Sequence, residues 1–151
     1  MDILHATQLD WPHPQEALAC AQACQRLATR FAERFDWTGV YVRNPAGDLQ
    51  LVAFMGAPTE HVVIPVAAGI CGAAVRENAV QNIADVRADE RFIACSLSTR
   101  AELVVPIRDA HGEAVAEIDI DSDRAGAFPP EVVTAVEAEA THLGRVLLLC
   151  A

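Results

Sequence analysis

Apolar residues recur at spacings of three and four from Pro14 to Phe35, in Cys20, Cys24, Leu27, Phe31 and Phe35. That spacing puts them on one face of a helix, and Pro14 suits its first turn. A second stripe, Val132, Val136, Ala140, Leu143 and Leu147, predicts a helix from about Pro129 to Leu149, with Pro129-Pro130 at its start. Strand-like runs lie between the helices. Trp37 to Arg43 and Leu49 to Met55 flank Asn44-Pro45-Ala46-Gly47-Asp48, which reads as a hairpin turn. His61 to Val66 is a third run. Glu102 to Arg108 and Glu113 to Asp121 are the fourth and fifth, joined across Asp109-Ala110-His111-Gly112. Gly69 to Asn78 reads as a short helix entered through a glycine-rich turn. Asp85 to Arg100 has no clear period and is expected to be a loop with at most a helical turn.

Two adjacent hairpins point to a mainly antiparallel sheet. Its apolar face needs a cover, and the two terminal helices supply one, giving an α+β layer architecture. The chain has 151 residues, which suits one domain spanning 1–151. At that length folding buries roughly two thirds of the unfolded surface, so no disulfide or metal staple is needed. The irregular stretch is itself a pointer to function, because compact domains rarely keep such loops without one.

The formal net charge of −10 argues against nucleic acid and against an anionic membrane surface. Met1 to His5 has no basic region or long apolar run and does not read as a signal peptide. Val146 to Ala151 is too short to span a bilayer. A cytoplasmic protein is the expectation. Five scattered cysteines, Cys20, Cys24, Cys71, Cys95 and Cys150, are not a secreted disulfide framework. In a reducing compartment they are core fillers, metal ligands or reactive thiols.

The strand from Glu113 to Asp121 carries the most chemistry. Ala114, Ala116, Ile118 and Ile120 alternate with Val115, Glu117, Asp119 and Asp121, so three carboxylates share one face. Glu102 opens the neighbouring strand. Clustered carboxylates repel, and one can hold a raised pKa. Such a group suits an ammonium ion, a metal ion or proton donation; the plainer reading is a solvent-facing sheet surface. Cys95 lies among apolar residues and hydroxyls near Arg100, where a cation would acidify a thiol. Cys71, between Gly69-Ile70 and Gly72, sits where a helix N-terminus would do the same. For both, inert packing is the alternative. Cys20 and Cys24 are four apart on an apolar stripe without a second metal-ligand pair, and read as core. Trp37 and Tyr41 share a strand face and either pack the core or line a pocket. No P-loop, dinucleotide fingerprint or GxSxG motif is present, and no cofactor is expected.

Several strings, in order, resemble the free methionine-(R)-sulfoxide reductase branch of the GAF family. They are Asp36-Trp37-Thr38-Gly39-Val40-Tyr41, Ile64-Pro65-Val66 with Gly69-Ile70-Cys71-Gly72, and Asn82-Ile83-Ala84-Asp85-Val86. Ile93-Ala94-Cys95, Glu102-Leu103-Val104-Val105-Pro106 and Ile118-Asp119-Ile120-Asp121-Ser122 follow. The resemblance runs from about Trp37 to Phe128. It implies a GAF-like antiparallel sheet with both terminal helices on one face, and reduction of free methionine sulfoxide.

Carried over by position, the resemblance makes Cys95 the nucleophile and Cys71 the thiol that resolves it as a disulfide. Glu102, Asp119 and Asp121 become the carboxylates around the substrate, and Trp37 and Tyr41 its aromatic wall. It also implies thioredoxin as reductant and a homodimer formed through the terminal helices; no metal is expected. Two positions depart from the pattern. His61 stands where family members often carry a third cysteine, and Ser96 where an aspartate usually follows the nucleophile. The alternatives are a non-catalytic GAF sensor, a Cys71–Cys95 redox switch and, more weakly, a metal site on the carboxylates.

Overall fold

The computed structural model describes residues 6–91 and 98–147. Its elements are β1 (Thr7–Gln8), α1 (Pro14–Arg30), β2 (Trp37–Arg43), β3 (Leu49–Met55), β4 (Val63–Ile64) and α2 (Gly69–Glu77). Then come β5 (Gln81–Ile83), a 3-10 turn (Val86–Ala88), β6 (Ala101–Arg108), β7 (Ala114–Ser122) and α3 (Pro130–Val146). The strands form one antiparallel sheet in the order β1-β3-β2-β7-β6-β5. β4 shares the outer edge of β3 with β1, because Leu49 pairs with Ile64 while Phe54 pairs with Thr7.

The expected α+β layering is what the chain adopts. Ala17, Cys20, Cys24 and Leu27 of α1 and Val132, Val136, Ala140 and Leu143 of α3 pack on one face of the sheet. The sheet meets them with Val40, Val42, Leu103, Val105, Ile107, Ala116, Ile118 and Ile120. Leu143 is fully buried there. Leu143→Ala is expected to lower stability by about 3 kcal/mol, through lost apolar burial plus a residual cavity; urea unfolding checks it. The Arg26–Glu139 pair bridges α1 and α3 at 2.8 Å on the surface, where such pairs contribute little.

The second core lies on the opposite face, under α2. Ile70, Cys71, Ala74 and Val75 of that helix pack on Trp37, Tyr41, Leu49, Leu51 and Val104. A bulge in β3 serves both layers. Val40 pairs with Ala53 but Tyr41 pairs with Leu51, leaving Val52 as the extra residue. Val52 and Ala53 therefore both join the helix-side core, and Phe54 turns to the other face.

Four elements differ from the sequence reading. α1 stops at Arg30 because Phe31 leaves helical geometry, at φ −118° and ψ 37°. The His61 to Val66 run pairs only at Val63–Ile64. β1 and β5, two and three residues long, are too short to show a period. The expected end of α3 at Leu149 lies outside the described residues. Among the described residues no helix is long and apolar enough to cross a membrane.

Candidate functional site

The register of three strands builds the site. On β7, Glu117, Asp119 and Asp121 point to the α2 side, as their alternation requires. β2 sets Trp37 opposite Asp121, Gly39 opposite Asp119 and Tyr41 opposite Glu117. β6 sets Glu102 opposite Asp121 and Val104 opposite Asp119. The solvent-facing reading of this surface is thus overturned. Glu117 is 0 % exposed, Asp119 2 %, Asp121 3 % and Glu102 4 %, because α2 lies across them.

The aromatic pair stands beside the acids. The rings of Trp37 and Tyr41 are 6.4 Å apart, and Phe54 stacks on Trp37 at 5.9 Å. Each polar tip has a backbone partner: Trp37 Nε1 donates to the Ala57 carbonyl at 3.0 Å, and the Tyr41 hydroxyl donates to the His61 carbonyl at 2.7 Å. The Trp37 ring occupies the space a side chain at Gly39 would fill. Gly72 plays a matching part in α2, since a Cβ there would collide with the Val66 carbonyl oxygen. That close approach seats Cys71 against β7.

Cys71 sits in the first turn of α2, yet its thiol is not acidified. Burial pushes it well above its ordinary value, and the nearby charges of Asp119, Glu117 and Glu102 push it further. A helix terminus contributes a fraction of a charge, and here desolvation and three acids outweigh it. The acids respond to the same environment. Burial raises Glu117 and Asp119 well above the usual carboxylate range, and Asp121 adds to the effect on Asp119. Asp121 rises to about 6, again mainly through burial. The Cys71 thiol approaches the carboxyls of Glu117 and Asp119, and Glu102 approaches Asp121. Beyond these approaches, no described donor meets either oxygen of Glu117, Oδ1 of Asp119 or Oδ1 of Asp121.

Among the described residues, openings reach this face at two places. One, of about 20 Å³, is lined by His61, Ile64, Ile70, Cys71, Glu102 and Asp119, and holds about one water-sized group. The other, of about 290 Å³, is lined by residues that include Trp37, Ala57, Ser98, Thr99 and Asp121. Its volume is near the lower end for small-molecule sites, about 300 Å³. His61 thus lines the same cavity as Cys71.

Trp37, Tyr41, Glu102, Asp119 and Asp121 are therefore gathered on one sheet face, with Cys71 packed against it from α2. Cys95 and Ser96 lie outside the described residues, as does Cys150. Arg100, read as a cation near Cys95, is engaged with Asp85 at 3.2 Å. Cys20 and Cys24 are buried in the helix-side core, and burial pushes Cys20 up to about 12, so packing is their role. Glu117 is the residue that sequence reasoning placed on the face but left out of the site. Its position two residues before Asp119 was the available signal.

The chain belongs to the GAF domain family, whose model matches residues 18–147. Within that family it is similar to free methionine-R-sulfoxide reductases. The enzyme of that name from Escherichia coli is 34% identical over 112 residues, covering 74% of this chain and 66% of its own length. Protein YtsP of Bacillus subtilis is 40% identical over 88 residues, covering 58% of this chain and 53% of its own length. The match thus spans between half and two thirds of these two curated relatives. The solved structure of the type II free methionine-R-sulfoxide reductase from Thermoplasma acidophilum superimposes with a TM-score of 0.82 at 38% identity, covering 88% of this chain and 94% of that one.

Proposed function

We propose that this chain reduces free methionine-(R)-sulfoxide to methionine with cysteine chemistry. The observation that carries the reading is Asp119, a buried carboxyl whose pKa is raised by burial, lining one small cavity together with the Cys71 thiol. Sulfoxide reduction needs a proton for the oxygen as one thiol attacks the sulfur, and a second thiol nearby to close the disulfide.

Cys95 attacks the sulfoxide sulfur, and an acid from Glu102, Asp119 and Asp121 protonates its oxygen. Methionine leaves with two electrons from the thiol, and Cys95 becomes a sulfenic acid. The Cys71 thiol then displaces hydroxide from that sulfur, and a disulfide and water form. An external dithiol reduces the disulfide. The amino acid's ammonium group meets the acid cluster and draws one carboxyl into its ionised form. Trp37 and Tyr41 face the methyl-sulfur end. The family resemblance supports thioredoxin as the dithiol and a homodimer through α1 and α3; the scattered cysteines of the single domain 1–151 fit a reducing, cytoplasmic compartment.

A single-turnover assay tests the reading. Reduced protein mixed with free methionine-(R)-sulfoxide is expected to yield about one methionine per chain with loss of two thiols. Untouched substrate, with the same thiols oxidised by peroxide, would replace this reading with a redox switch. Neither event would leave a sensor.

A further inference from the structure

The thiol of Cys71 and carboxylate oxygens of Glu102 and Asp119 lie within 4.8 Å of one another. All three side chains are buried, and all three line the small cavity beneath α2. Oδ1 of Asp119 has no hydrogen-bond donor among the described residues, although the side chain is only 2 % exposed. A buried carboxyl oxygen without a donor, on a side chain that lines a cavity, is an unfilled valence.

We propose that Cys71, Glu102 and Asp119 form a binding site for a thiophilic divalent cation, with Zn2+ as the natural occupant. One sulfur and two carboxylate oxygens are a donor set zinc accepts. Around zinc such atoms stand on the order of 3.5 Å apart, given metal–ligand bonds of about 2.3 Å to sulfur and about 2.1 Å to oxygen. A modest inward movement of the three side chains reaches that spacing. The cavity suits an ion, since a bare divalent cation is smaller than the water molecule it can hold. Binding forms one metal–sulfur and two metal–oxygen bonds, and the protons held on these groups pass to solvent. No electrons move. The occupied thiol cannot enter a disulfide, so the cation turns off any redox chemistry at Cys71 until it is removed. His61 lines the same cavity and is a candidate for a fourth ligand.

This site does not depend on methionine sulfoxide being the substrate. Its test reads the metal directly. Protein kept reduced by a phosphine is titrated with Co2+ alone, and the sulfur-to-cobalt charge-transfer band is recorded. The expected result is one equivalent bound with an intense band that Zn2+ abolishes by displacement. Cys71→Ser should lose the band, and Asp119→Asn should weaken Co2+ binding by about tenfold or more while keeping the thiol. Circular dichroism checks that both variants fold. Cys24→Ser should leave the band unchanged. No band at excess Co2+, or a full band in Cys71→Ser, overturns the proposal.

Discussion

Cys95→Ser is expected to bring methionine formation to the buffer level, a loss of at least about a thousandfold, because in the proposed steps Cys95 supplies the attacking electron pair. Cys71→Ser should behave differently. It keeps the first turnover and yields about one methionine per chain, then stops, since the sulfenic acid on Cys95 has no partner thiol. Trapping that acid with a dimedone-type reagent in Cys71→Ser, followed by mass spectrometry, identifies the attacked sulfur. Equal loss of the first turnover in both variants would sink the division of roles. The environment of Cys71 suits the later step. Its thiol is held protonated by burial and by the acids around it, so it is a poor first nucleophile. A carboxylate beside it can take its proton once the sulfenic acid is in place.

The second large effect is on stability and its dependence on pH. Glu117 is 0 % exposed and its carboxyl is held well above its ordinary value of 4.5 by burial. Above 4.5 the unfolded chain has released this proton while the folded chain still holds it. Stability therefore falls as pH rises from the ordinary value toward the raised one, by about 1.4 kcal/mol per pH unit per group. Asp121 adds the same sign between 3.8 and about 6. Asp85 and Asp89, lowered by Arg100 and Arg91, act oppositely, but their effect falls below 3.8. Glu117→Gln keeps the shape and removes the ionisation. It should match the parent near pH 4 and exceed it at pH 8 by about 1–3 kcal/mol. Urea midpoints at the two pH values check this. An unchanged midpoint at pH 8 would mean that the buried charge is already compensated.

The layering could be read from the sequence because its strongest signals are local. β2 and β3 occupy the predicted residues, as their alternation and the Asn44 to Asp48 turn demand. β1 and β5 escaped because they exist only through pairing with β3 and β6. Phe31 and Phe35 kept helical spacing after the helix had ended, since the two rings still pack, at 5.0 Å. The candidate site was half legible. Alternation put Glu117, Asp119 and Asp121 on one face, but a strand's pattern does not say what covers that face. The cover is α2, brought there by the chain between β4 and β5. The same burial reversed the expected sign for Cys71, because a helix-terminus argument counts one charge and not the three acids opposite. It also brings Glu117, left out of the site, against Cys71.

The two halves of the site are anchored unequally. The acids belong to β7 and β6, and β7 is hydrogen-bonded along both edges. The thiol rides on a nine-residue helix that touches the sheet on one side. Amide hydrogen exchange should separate them, with β7 among the last amides to exchange and α2 released earlier by local opening. Such opening would expose the sulfur to a protein reductant without disturbing the acid floor. The rate of recycling would then be set by the lifting of α2, and the chemistry of the first step by a floor that stays still.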